Sequence, residues 1–224
     1  MSASQTSPLT ATAAPRYFPF VETLAFCAYV AWYIWQLQEQ IWYSWIVFAV
    51  WLVASFLLNK DTPKSLGWRA DNLWPSLKLS SAFFLPSITI LVIAGLFFGG
   101  SQQSFLHLLI PRRFFGYMSF CLLQQIALNS LVTNRLLAAW RSPLRVSLVV
   151  GALFGVLHWP NPVLVPVTFL GGALMSWIFA KERNILTLAV WQGILGTIIW
   201  WAFPVAWHHA MRVGPGFYHF KPHY

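Results

Sequence analysis

Seven continuous apolar runs, each close to the length of a bilayer crossing, constrain this chain more than any other feature of its sequence. They fall at about residues 17–37, 41–58, 79–98, 114–134, 144–158, 163–180 and 185–207, against the roughly 20 apolar residues a spanning helix requires. A transmembrane barrel would show segments of about ten residues alternating polar and apolar side chains, which this chain does not. The expected fold class is therefore all-α, a polytopic transmembrane helical bundle of about seven spans. Composition agrees: 58% of the 224 residues are hydrophobic and 8% are charged, too little charge to cover a surface facing water. Soluble enzyme folds, nucleic-acid modules and disordered scaffolds are excluded on the same ground.

Three stretches follow from the apolar pattern. Residues 1–16 form a polar tail rich in Ser, Thr, Ala and Pro; it lacks a basic leading region and so does not read as a cleaved signal peptide. Residues 17–207 form the transmembrane helical domain, and 208–224 a C-terminal interfacial tail. Between the second and third spans, residues 62–78 read as a short amphipathic helix lying in the interface, with Leu66, Trp68, Leu73 and Trp74 able to dip into lipid. Trp and Tyr gather near the ends of the spans, as an interfacial belt requires.

The formal charge of +9 is mostly an orientation signal. Ten of the fourteen basic residues fall on the N-terminal side of the bundle: Arg16, then Lys60, Lys64, Arg69 and Lys78, then Arg135, Arg141 and Arg145, then Lys181 and Arg183. Arg112, Arg113, Arg212 and Lys221 fall on the other. Basic loops stay in the cytoplasm, so the expectation is an integral protein of a bacterial inner membrane with a cytoplasmic N-terminus. Cys27 and Cys121 both lie inside apolar runs and read as buried thiols.

Polar groups inside a membrane tend to face the interior of the bundle, which makes them the informative positions. Gln125, Asn129 and Thr133 share one face of the fourth span at i, i+4 and i+8, beside Gln124, Ser130 and Asn134. His158 ends the fifth span in Phe154-Gly155-Val156-Leu157-His158, and Gln192 sits in the seventh. Interhelical hydrogen bonding accounts for such residues as well as a functional pocket does. Ser130 with His158 is a weak nucleophile–base pair, because the sequence offers no matching oxyanion loop. His208, His209, His219 and His223 crowd the C-terminus and read as an interfacial tail rather than a metal site.

Phe154-x-x-x-His158 is followed by Trp159-Pro160-Asn161-Pro162, by Thr168 to Leu174 and by Asn184-Ile185-Leu186-Thr187-Leu188. On these motifs the chain from about residue 119 to 197 resembles the CPBP family of intramembrane proteases, the CAAX-protease and bacteriocin-processing proteins. The resemblance implies a CAAX-protease-like helical core. The family shows Glu-Glu-x-x-x-Arg, then Phe-x-x-x-His, then a second histidine followed four residues on by asparagine. Here Gln124 and Gln125 stand at the glutamate pair, Asn129 at the arginine, Gln192 at the second histidine and Gly196 at the asparagine, leaving His158 as the matching residue. A carboxamide keeps the shape of glutamate but has no basic site near neutral pH, so it cannot take a proton from water.

The expected protein is thus CPBP-like with degenerate motifs, a non-catalytic binding or structural subunit of a membrane protein assembly. The alternative is an active endopeptidase cleaving membrane-associated peptides. Partners are the lipid bilayer and other membrane subunits, not nucleic acid, and the aromatic surface suits a lipid, a quinone or a pigment. The resemblance further implies that Gln124 or Gln125, His158 and Gln192 line one internal polar pocket.

Overall fold

The computed structural model describes residues 18–98 and 111–221. The expected tail at 1–16 lies outside the described residues. Within them the backbone is helical with no strand. In chain order the helices are α1 (Phe18–Gln40), α2 (Trp42–Leu58), α3 (Pro63–Leu66), α4 (Leu73–Phe98), α5 (Phe115–Trp140), α6 (Pro143–Val156), α7 (Leu164–Lys181), α8 (Ile185–Ala202), α9 (Val205–His208) and α10 (Pro215–Tyr218). Among the described residues α1, α4, α5, α7 and α8 are long and apolar enough to cross a bilayer, and α2 and α6 are shorter apolar helices. The protein is an integral membrane protein built as a helical bundle.

Two apolar clusters hold the bundle together, and α5 touches both. On one side Leu131, Leu136, Val146 and Val150 are fully buried with Phe26 of α1. On the other, Phe179, Ile185 and Leu188 pack with Phe84 of α4, and Leu122 and Ile126 of α5 lie against them. Large side chains on the outer faces are left bare: Phe97 is 84% exposed and Leu58 82%, tolerable because lipid is their solvent.

Several boundaries depart from the apolar pattern for local reasons. The expected amphipathic helix over 62–78 is two pieces. Thr62 caps α3 through a reciprocal pair with Ser65, and Gly67 at φ +84° ends it in the left-handed region. The chain then turns, and α4 begins at Leu73, six residues before the expected third span at 79. Pro75 fits there because the first turn of a helix has no use for its missing N–H. The last span ends at Ala202 rather than 207, since Pro204 pushes Phe203 into extended backbone (φ −111°, ψ 145°).

Arg135 requires a larger correction. It is not a loop cation but a residue of α5, 5% exposed. Its Nε meets Glu22 of α1 at 3.1 Å, and one terminal nitrogen meets Asp61 at 2.6 Å and Ser55 Oγ at 2.8 Å. A charge that the sequence assigns to a cytoplasmic connection instead joins α1, α5 and the α2–α3 turn. Both carboxylates are nearly enclosed with it, so the guanidinium is neutralised where water is scarce.

A polar junction next to this cluster fixes the α3 turn to the bundle. Ser130 Oγ donates to Leu66 O, Asn134 Nδ2 to Ser65 O at 2.9 Å, and Arg183 Nη1 to Asn134 Oδ1 at 2.6 Å. Burial lowers the Arg183 pKa while the charge of Asp61 opposes that shift. Asn184 caps α8 by accepting from Leu186 N and Thr187 N and reaches back to Arg69 O. At the far end Asn161, fully buried, caps α7 and donates to the carbonyls of His208 and Arg212, holding the C-terminal residues against the α6–α7 turn.

Candidate functional site

The middle of α5 carries a π-helical stretch, Ile126–Thr133, that starts just after Gln125. Such wide turns are uncommon and concentrate at functional sites. From Gln125 onward the polar stripe of α5 is bonded end to end. Asn129 Nδ2 donates to Gln125 Oε1, and Thr133 Oγ1 donates to Asn129 Oδ1 at 2.9 Å and lies 3.0 Å from Ser176 Oγ of α7. Gln125, Asn129, Thr133 and Ser176 are completely buried.

The chain of amides then crosses to α8. Gln125 Nε2 donates to Gln192 Oε1 at 2.6 Å and approaches Met175 Sδ at 3.1 Å, while Gln192 Nε2 donates to Gln124 Oε1. Every carboxamide oxygen in the run Gln124, Gln192, Gln125 accepts a hydrogen bond. Each such bond across helices in a membrane contributes about 1 kcal/mol, and an unmatched partner would cost more. The cluster is neutral throughout and has no group that accepts a proton from water near neutral pH.

One turn further along α8, Gly196 closes the same seam. A Cβ at this position would collide with Tyr117 Oη of α5. The tyrosine hydroxyl thus occupies the space that any larger residue at 196 would need. Gly193 receives the end of Met118 in the same way. The α5–α8 contact is filled by side chains at the level of the glutamines and just beyond.

His158 does not join this chain. Its Nδ1 lies 2.7 Å from Phe154 O and its ring packs edge-on against Phe154 at 4.6 Å. The α6 terminus leaves carbonyls without helical partners, and the imidazole takes one of them. No hydrogen bond among the described residues links His158 to Gln124, Gln125 or Gln192. The structure therefore brings Gln124, Gln125, Asn129 and Gln192 together by hydrogen bonds, with Gly196 one turn along α8, while His158, just past the end of α6, bonds to Phe154 O. Ser130 is directed to the α3 turn, so the Ser130–His158 pair is not formed.

Other expectations can be placed. Cys27 and Cys121 are free and buried. Among the described residues no group of three or more His, Cys, Asp and Glu side chains could hold a metal ion. His208 is fully buried, and burial lowers its pKa; its Nδ1 accepts from Met211 N and its Nε2 lies 3.1 Å from Phe203 O, the pattern of a neutral imidazole. A cleft of about 230 Å³ is lined by Pro162, Val163, Pro166, Val167, Phe203 and Trp207, none of them a member of the amide chain. Asn161 and Arg135 are the organising residues that the sequence reading missed. The Asn-Pro step three residues ahead of α7 was the available signal for the first, and Glu22 in an apolar run was the signal for the second.

The family model described as type II CAAX prenyl endopeptidase Rce1-like matches residues 109–198. This segment is similar to the CAAX prenyl endopeptidases. It contains α5, α6 and α7 and most of α8, so the amide chain and His158 both lie inside the CAAX-endopeptidase-like segment, while α1, α2 and α4 pack around it. No curated protein and no solved structure matches the chain.

Proposed function

We propose that the protein is a non-hydrolytic CAAX-endopeptidase-like membrane protein that serves as a binding or structural subunit of a membrane assembly. One observation carries this reading. The positions that resemble the catalytic carboxylates and second histidine of the family are three glutamines bonded to one another, with Tyr117 filling the space at Gly196. Amide hydrolysis needs a group that accepts a proton from water, and a closed run of carboxamides supplies none. His158 stands without a carboxylate or a second histidine hydrogen-bonded to it and is engaged with Phe154 O.

The same substitutions that remove a base suit a packing role. Gln125, Asn129 and Gln192 join α5 to α8 with neutral, directional bonds and no buried charge. The distribution of basic residues supports a bacterial inner membrane with the Lys- and Arg-rich end in the cytoplasm. Partners are other membrane subunits, and the apolar cleft at Pro162 and Trp207 suits a lipid, quinone or pigment. Purification in mild detergent tests the reading: co-purification of other membrane subunits at fixed stoichiometry supports it, and a peptide-cleaving protein that runs alone overturns it. The match over residues 109–198 favours the second reading, an active intramembrane endopeptidase, whose test is direct proteolysis.

A further inference from the structure

The end of the bundle that carries α3 has an uneven distribution of charge. Of the five acidic residues in the chain, Glu22, Asp61, Asp71 and Glu182 belong to this end. Glu22 and Asp61 turn inward onto Arg135, with side chains only 10% and 12% exposed. Asp71 takes two hydrogen bonds from Arg69, which hold its carboxyl below the usual range. Glu182 accepts from Asn72. The acids are thus committed within the fold.

Arg69, Arg135 and Arg183 are engaged with them or with nearby polar groups, but six further cations form no ion pair, although Lys181 lies over the Trp177 ring. Lys60, Lys64, Lys78, Arg141, Arg145 and Lys181 are all exposed, and none makes an ion pair among the described residues. They come from the α2–α3 turn and α3, the first turns of α4, the α5–α6 turn with the start of α6, and the end of α7, so they are spread over the whole end. Apolar side chains lie among them. Trp74 is 73% exposed, Trp68 41%, Leu73 40% and Leu77 38%. Indole rings beside lysines and arginines are the pattern of a headgroup boundary, where one edge of the surface meets acyl chains and the other meets charge.

We propose that this end of the bundle binds anionic phospholipids, whose phosphates meet Lys60, Lys64, Lys78, Arg141, Arg145 and Lys181 while their acyl chains cover Leu73, Trp74 and Leu77. An acidic protein segment would neutralise the cations but leave these apolar side chains uncovered. A phospholipid supplies both halves. The inference goes beyond the proposed function and does not depend on whether the protein is catalytic.

The test uses the full chain in nanodiscs made from equal parts phosphatidylglycerol and phosphatidylcholine, followed by mild extraction and mass spectrometry of the retained lipids. Phosphatidylglycerol should be enriched at least about fivefold, the effect of one cation near an anionic surface, and high salt should remove the enrichment. The combined variant Lys60→Gln, Lys64→Gln, Lys78→Gln and Lys181→Gln should lose it, and the matching Lys→Arg variant should keep it, with helix content unchanged in circular dichroism. The salt series on unsubstituted protein reads the same contact should the neutral variant fail to fold. Equal retention of the two lipids, or enrichment that survives salt and neutralisation, overturns the proposal. So does loss of enrichment when inorganic phosphate replaces chloride at the same ionic strength, which would assign the cations to a free anion. Displacement of the lipid by a soluble polyglutamate would assign them to a protein and overturn it equally.

Discussion

The amide of Gln125 donates to the carbonyl oxygen of Gln192 across 2.6 Å and ties the middle of α5 to the middle of α8. Both residues occupy the membrane interior, where water cannot replace a lost partner. The bond also orients Gln192 so that its own amide reaches Gln124. Two helices are held by a polar contact with no net charge.

Gln192→Leu should therefore orphan the Gln125 donor and the Gln124 acceptor together. Thermal unfolding in detergent should show a loss of about 1–3 kcal/mol. Gln125→Glu should destabilise as well, because an ionised carboxylate has no proton to give Gln192 and a neutral one has a single donor. Unchanged stability in both variants would show that the amide chain carries no packing energy.

Arg135 sits between Glu22 and Asp61 with its side chain 6% exposed. Arg135→Ala leaves two nearly buried carboxylates facing each other and should cost about 3–5 kcal/mol. Arg135→Lys should recover part of that, since one ammonium cannot reproduce contacts made from both Nε and a terminal nitrogen. Equal stability of the Ala and Lys variants would exclude a charge-dependent join between α1 and α5.

At Gly196 the constraint is steric. Gly196→Ala should displace Tyr117 and destabilise the α5–α8 seam, and adding Tyr117→Ala should restore at least part of the loss by opening the space. The double-mutant cycle gives the interaction directly. Additive losses would mean that the two residues do not meet.

His208 gives the C-terminal residues a pH response. Its folded pKa is lowered by burial, so the folded state binds fewer protons than the unfolded state with its value near 6.5. The sign follows: the contribution is complete above that value, and stability falls as pH drops below it. Protonation of Nδ1 removes the acceptor for Met211 N. Amide protection factors over Val205–Tyr218, taken against the intrinsic exchange rate at each pH, should fall as pH drops from about 8 to about 5. His208→Gln should flatten that response.

The apolar runs and the stripe at Gln125, Asn129 and Thr133 were legible because hydrophobic length and helical spacing are local properties. The meeting of Gln124 with Gln192 rested on the family resemblance, since spacing within one helix says nothing about a second. Arg135 was misplaced because a cation after an apolar run looks the same whether it meets lipid headgroups or two carboxylates from distant segments. Leu66, Trp68, Leu73 and Trp74 suit one amphipathic helical face, but Gly67 in the left-handed region breaks the helix. The sequence does not show which polar group His158 bonds; the imidazole pairs with Phe154 O four residues back, a local contact that closes at low entropic cost.

A cleavage assay decides whether the protein carries out glutamate-dependent proteolysis. Purified protein and its His158→Ala variant are incubated with prenylated and unprenylated membrane peptides, and the products are resolved by mass spectrometry. A non-hydrolytic protein gives no cleavage above the peptide-only background in either form. Robust cleavage by the unsubstituted protein, abolished by His158→Ala, would overturn the non-hydrolytic reading.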